Sequence, residues 1–125
     1  MSWDVLFAPS KPFGPRSDVI ARIRARLPNV DFSDPAWGRY RTDQFSIELN
    51  LGEEPVSSSL MLHVRGDDAA LATVREISEA LDCGAFDCTT GELIEFDGPN
   101  AGEGLKRWRG FRDEVLGRPR LRRVK

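Results

Sequence analysis

Three segments of the chain carry an apolar side chain at every second position, and this alternation constrains the fold more than any other feature. The pattern covers residues 3–7, 45–51 and 60–65. A period of two indicates strands that bury one face and leave the other partly open. The chain is therefore expected to build a sheet with one apolar face.

Three other segments have the period of a helix. Ser17 is expected to cap the first helix, whose apolar stripe spans residues 19–27 and which ends before Pro28. A second stripe spans residues 70–81 and a third spans residues 105–116. Each of these helices is expected to pack one side against the sheet.

The remaining strands are shorter. Residues 37–41 form a candidate strand, and residues 85–88 and 92–96 bracket Thr89-Thr90-Gly91 as a hairpin. The order is then β-α-β-β-β-α-β-β-α. Because strands mostly follow strands, we predict an α+β fold with a largely antiparallel sheet and three helices on one face.

The length of 125 residues suits a single domain. Gly117 and Pro119 are expected to close the third helix. The domain is then predicted to span residues 1–117, with residues 118–125 as a basic C-terminal tail. The basic tail could neutralise phosphates, but because it lacks a recognition motif we do not expect nucleic acid as a partner.

Composition narrows the class of protein. No apolar run approaches the ~20 residues of a membrane-spanning helix, and no signal peptide is evident at the N-terminus. Cys83 and Cys88 lack zinc spacing and are expected to be small buried side chains. These features predict a cytoplasmic protein that holds neither a metal nor a cofactor and does not act at a membrane.

Charge is strongly segregated along the chain. Residues 1–41 contain seven basic and four acidic side chains, residues 42–103 contain two basic and fourteen acidic ones, and residues 104–125 contain nine basic and two acidic ones. Two interpretations are open. The basic ends can pack beside the acidic middle and neutralise it, or the middle can form an exposed acidic face that steers a basic protein partner.

The second interpretation defines a candidate partner-binding face. Its members are acidic residues of the middle segment: Glu48, Glu53, Glu54, Asp67, Asp68, Glu76 and Glu79. Five further carboxyl residues near the hairpin (Asp82, Asp87, Glu92, Glu95 and Asp97) are interpreted as solvated positions at strand edges and turns. No catalytic residue is assigned.

A small-ligand binder or an enzyme is the alternative. It requires His63, Arg65, Asp87 and Arg112 to converge in one pocket, with Trp37 or Tyr40 as further candidates. Arg112 also has a structural interpretation, as a clip between the third helix and a carboxylate of the acidic middle. A third hypothesis is a structural homodimer formed through the face of the sheet that the helices leave uncovered.

Two segments carry a resemblance to known proteins. Leu60–Asp67 (LMLHVRGD), the helix after it and Phe86–Leu93 (FDCTTGEL) resemble the organisation of small, uncharacterised bacterial single-domain α+β proteins, some of them immunity proteins of toxin systems. The resemblance covers about residues 60–96. It implies a compact bacterial protein that acts by surface complementarity. We therefore expect a non-catalytic, immunity-like binding protein.

Overall fold

A six-stranded antiparallel sheet runs through the computed structural model of the protein, which describes the backbone of residues 1–124 and the side chains of residues 1–114. In spatial order the strands are β3 (Trp37–Arg41), β4 (Phe45–Asn50), β6 (Leu60–Gly66), β1 (Trp3–Phe7), β7 (Phe86–Asp87) and β8 (Glu92–Leu93). Two short strands, β2 (Gly14–Pro15) and β5 (Val56–Ser57), form a separate antiparallel pair that the sequence did not predict.

Three helices complete the fold: α1 (Arg16–Arg26), α2 (Ala70–Leu81) and α3 (Glu103–Val124). The predicted α+β class and the order of its elements are confirmed. The predicted cap is wrong, because α1 starts directly after Pro15 and Ser17 lies inside its first turn. The backbone N–H of Arg16 donates to the carbonyl oxygen of Pro55 at 2.8 Å, so the neighbouring chain satisfies a helix end that would otherwise need a side-chain cap.

One face of the sheet forms the core, as the alternation predicts. In β1, β4 and β6 every second side chain is buried, and α2 packs over this inner face with Val74 and Ile77 fully buried. The buried apolar side chains of these strands are Trp3, Val5, Phe7, Phe45, Ile47, Leu49, Leu60, Leu62 and Val64. Their removal from water is the main stabilising contribution of the sheet.

Only the first part of α3 is anchored in this core among the described side chains. Leu105 is fully buried and Trp108 nearly so, whereas Phe111 is 55% exposed. The helix runs on to Val124, past Gly117 and Pro119, where the sequence predicted its end. A proline removes one backbone hydrogen bond at a cost of about 3 kcal/mol, and a long helix can continue past it. The predicted boundary between domain and tail therefore falls inside α3.

Candidate functional site

The acidic residues of α2 are paired with arginines. Nη1 of Arg26 lies 3.2 Å from Oε2 of Glu76 and 3.3 Å from Oε2 of Glu79. Arg75 adds a contact of 3.2 Å between its Nε and Oε1 of Glu79. Two members of the predicted partner-binding face are thus partly neutralised, both of them by an arginine of the basic N-terminal segment.

An aspartate at the junction between β6 and α2 is paired with an arginine of the basic C-terminal segment. Nη2 of Arg109 on α3 lies 2.9 Å from Oδ1 of Asp68. Together with the Arg26 contacts, this ion pair confirms at these positions that the basic ends pack beside the acidic middle. The prediction had given this clipping role to Arg112.

The other members of the predicted face lie far apart. Residues 53–54 follow β4 at the end where Asn50 pairs with Met61, whereas Asp67 follows β6 at the end where Phe45 pairs with Gly66. A six-residue strand of ~3.3 Å per residue separates these two ends by roughly 20 Å. Members of the predicted face therefore lie at both ends of the sheet.

His63 and Arg65 come together on the outer face of the sheet, which is opposite the core. The His63 ring stacks on Trp37 with a centroid separation of 5.7 Å, and its Nδ1 lies 2.9 Å from Oδ1 of Asp4. Both Trp37 Nε1 and Arg65 Nη1 donate to Glu48, at 3.1 and 3.3 Å. This outer-face cluster of Asp4, Trp37, Glu48, His63 and Arg65 is half-exposed and forms one connected network.

The other two members of the alternative pocket lie elsewhere. Asp87 pairs in register with Val5 and so belongs to the inner face. Arg112 on α3 donates from Nε and Nη2 to Oδ1 of the adjacent Asp113, and its guanidinium lies 5.1 Å from the centre of the Trp108 ring. The structure thus brings together two of the four predicted pocket residues. The predicted clip at Arg112 is wrong, because its carboxylate partner is its neighbour on the same helix.

Tyr40, the remaining candidate, is also outside the cluster. Its ring lies 6.1 Å from the ring of Phe45 and packs against the core. Its position in register with Ile47 explains this, because Ile47 belongs to the buried face. Trp37 is therefore the aromatic candidate that joins His63 and Arg65.

A pocket of about 420 Å³ lies between the β7–β8 hairpin, the loop after it and the first turns of α3. We call it the acidic pocket. Its lining residues are Asp87, Thr90, Glu92, Leu93, Ile94, Glu95, Gly98, Pro99, Asn100, Ala101, Glu103 and Arg107. It thus carries four carboxyl side chains and one guanidinium.

The charge in the acidic pocket is only partly balanced. Arg107 donates from Nε to Oε1 of Glu103 at 3.1 Å, which is an i,i+4 pair on α3. Among the side chains of residues 1–114, neither Glu92 nor Glu95 forms an ion pair. Both are exposed, as the sequence predicted, but their convergence on one concavity was not predicted.

Asp87 forms a buried part of the pocket wall, which corrects its interpretation as a solvated residue. It is 3% exposed, and its Oδ1 accepts hydrogen bonds from Trp3 Nε1 at 3.0 Å and from the backbone N–H groups of Thr89 and Thr90 at 2.9 and 3.3 Å. These donors offset the cost of burying a carboxylate. Its Oδ2 lies against Gly104 and accepts no hydrogen bond from the described residues.

The two cysteines are poor nucleophiles. Burial raises the pKa of the Cys83 thiol, and the nearby Asp82 raises it further. Burial likewise raises the pKa of the Cys88 thiol, with smaller contributions from Asp4 and Asp87. Cys88 is exposed, so its predicted burial is wrong, but a raised pKa keeps it in the unreactive thiol form at neutral pH.

Within the described chain, no group of three or more His, Cys, Asp or Glu side chains is placed to hold a metal ion. None of the described helices is both long and apolar enough to cross a membrane. Comparison with known proteins found no matching family model and no matching curated relative. The described residues thus offer two candidate sites, the outer-face cluster and the acidic pocket.

Proposed function

We propose that this chain is a non-catalytic binding protein that recognises a basic protein partner, with the acidic pocket as the point of recognition. The observation that carries the proposal is the pair of carboxylates, Glu92 and Glu95, that line this concavity without an ion pair among the described side chains. The carboxylates on α2 are already bound to arginines. A cationic group of a partner would therefore gain more binding free energy from Glu92 and Glu95 than from the carboxylates on α2.

The chemistry of the pocket favours an organic cation over a metal ion. The carboxylates are spread around a pocket of about 420 Å³, and the described residues offer no metal-binding group. The guanidinium or ammonium group of a side chain can form hydrogen bonds with separate carboxylates, while the aliphatic stem of that side chain covers the apolar part of the pocket wall. An arginine or lysine of a protein partner fits this description.

An immunity-like role is one form of this proposal. Such a protein neutralises a basic enzyme by covering it with an acidic surface, and charge complementarity then accelerates association. The resemblance of residues 60–96 to small bacterial proteins supports this form. The proposal then includes a bacterial origin and a cytoplasmic location.

The test uses a minimal cation. N-acetyl-arginine methylamide is titrated into the ¹⁵N-labelled protein at low ionic strength. We expect the largest chemical-shift changes at the backbone amides of Gly91, Gly98 and Asn100. These changes should disappear in 0.5 M salt. Changes confined to other regions, or none at all, would contradict the proposal.

The outer-face cluster supports a second candidate function, a small-ligand site. Asp4 holds Nδ1 of His63, and the ring is oriented by stacking on Trp37. This pairing orients a histidine as it is oriented in acid–base sites. This second function would be favoured if a metabolite bound the original chain but not a His63→Gln variant, and if N-acetyl-arginine methylamide did not bind in the acidic pocket.

A further inference from the structure

We infer that β8 accepts an added strand from the partner, so that an extended basic segment pairs with the backbone of Leu93 while one of its cationic side chains enters the acidic pocket. The inference rests on the proposed function and specifies the form of the partner. It follows from the hydrogen-bond register of the hairpin, from the free edge of the sheet and from the charges beside that edge.

The register shows which way the backbone of β8 points. The N–H of Ile94 donates to the carbonyl oxygen of Ala85 at 2.8 Å, and Phe86 and Asp87 pair with Leu93 and Glu92. In an antiparallel pair, hydrogen-bonded and non-hydrogen-bonded positions alternate. The pair of Phe86 and Leu93 is therefore non-hydrogen-bonded, and the N–H and C=O of Leu93 point away from β7.

This direction is the open edge of the sheet. β8 is the last strand in the described part of the chain, and no hydrogen bond from a described residue reaches the backbone of Leu93. The Leu93 side chain is 66% exposed. An edge strand with free backbone groups is a template for the addition of another strand.

The opposite edge of the sheet is protected. On β3, the N–H of Arg39 donates to the carbonyl oxygen of Asp31, and the N–H of Asp31 donates to the carbonyl oxygen of Arg39, both at 2.8 Å. The loop before β3 therefore occupies the edge that a partner strand would need. This contrast identifies β8 as the edge available for pairing.

The charges beside β8 determine the chemistry of the added strand. Glu92 and Ile94 flank Leu93 and line the acidic pocket together with Glu95, and the nearly buried Asp87 forms part of its wall. Successive side chains of an added strand point to opposite faces, so every second one can face the pocket. An extended segment with basic residues at alternate positions could therefore hydrogen-bond to the free backbone groups of Leu93 and also place cationic side chains beside the carboxylates.

The probe is the peptide Ac-Val-Arg-Val-Arg-Val-NH2, with two backbone variants. One variant is N-methylated at both arginines, which blocks the N–H groups of positions 2 and 4, and the other is N-methylated at the central valine, which blocks the middle N–H of the alternate set. Strand addition predicts that one variant binds about tenfold more weakly and the other almost unchanged, because only one set faces β8. Equal affinity of all three peptides, or equal loss in both variants, would overturn the inference.

A protein variant provides an independent test. Leu93→Pro removes the outward N–H at an edge position that tolerates proline, so the fold is expected to persist. We expect Leu93→Pro to bind the peptide about tenfold more weakly than Leu93→Ala does, whereas N-acetyl-arginine methylamide, which pairs with no backbone group of β8, should bind these two variants equally, because both lose the Leu93 side chain from the pocket lining. Leu93→Ala, which keeps the N–H, is the matched control.

The two hypotheses fail differently. If the single amino-acid derivative binds in the acidic pocket but N-methylation and Leu93→Pro have no effect on the peptide, strand addition is wrong and the proposed function stands. If neither the derivative nor the unmodified peptide binds, the proposed function fails and the inference fails with it.

Discussion

The indole of Trp3 donates its N–H to Oδ1 of Asp87 across 3.0 Å, and this buried hydrogen bond joins the first strand to the hairpin that forms the acidic pocket. The same oxygen accepts the backbone N–H groups of Thr89 and Thr90 in the hairpin turn. One carboxylate therefore holds the turn and the central strand together, and the start of α3 packs against it at Gly104. The shape of the acidic pocket depends on it.

The first prediction concerns this carboxylate. Asp87→Ala should lower the free energy of unfolding by about 3 kcal/mol, because it leaves the Trp3 N–H and the turn N–H groups without an acceptor. Urea denaturation measures the change. The control is Glu92→Gln in the same hairpin, which is exposed and should change stability by less than about 0.5 kcal/mol. Equal effects of the two substitutions would contradict the role assigned to Asp87.

The second prediction concerns the packing of α3 on Asp87. A Cβ at Gly104 would overlap both carboxylate oxygens of Asp87, so Gly104→Ala should destabilise the protein by about 2 kcal/mol. At Gly110 on the same helix, no described atom other than those of its chain neighbours and the nearby backbone of α3 lies within 4 Å of the new Cβ. Gly110→Ala should therefore stabilise the helix by about 0.5–1 kcal/mol. Thermal unfolding should give shifts of opposite sign, and shifts of the same sign would refute this packing.

The third prediction concerns the clip between α3 and the start of α2. A double-mutant cycle of Arg109→Met and Asp68→Asn should give a coupling of about 0.5 kcal/mol that decreases in high salt, because the pair is partly exposed. The cycle of Arg112→Met and Asp68→Asn should show no coupling. A coupling that involves Arg112 and not Arg109 would restore the clip predicted from the sequence.

Much of the fold could be predicted from residues whose environment is local. The alternation in residues 3–7, 45–51 and 60–65 identified the inner face, since one face of each strand had to be buried. The helix start at Arg16 could not be predicted, because the acceptor for its N–H is Pro55, far away in sequence.

The candidate site was harder to predict for the same reason. Asp87 looks like an ordinary turn residue in the sequence, and only the fold brings the Trp3 indole to it. Arg109 and Arg112 lie one turn apart on α3, and the direction of the helix decides which one reaches Asp68. Glu92 and Glu95 were expected to be exposed, but their pocket exists only because α3 returns to the hairpin.

The fourth prediction concerns thiol reactivity. Because burial and nearby carboxylates raise the pKa of Cys88 above its ordinary value of 9.0, its alkylation by iodoacetamide should be slow at pH 7 and should still be increasing with pH at pH 9. The Cys83→Ser variant isolates this thiol for the measurement by mass spectrometry. A rate that reaches its plateau below pH 8 would show that the pKa of Cys88 is lowered, which would contradict the prediction and indicate a reactive cysteine.

The most direct test of the account is the affinity of N-acetyl-arginine methylamide for two matched double variants. Glu92→Gln with Glu95→Gln removes two charges from the acidic pocket, and Glu53→Gln with Glu54→Gln removes two from the loop after β4. We predict that the first variant binds at least about fivefold more weakly than the original chain and that the second binds within about twofold of it. Equal affinities of the two variants would contradict recognition by the acidic pocket.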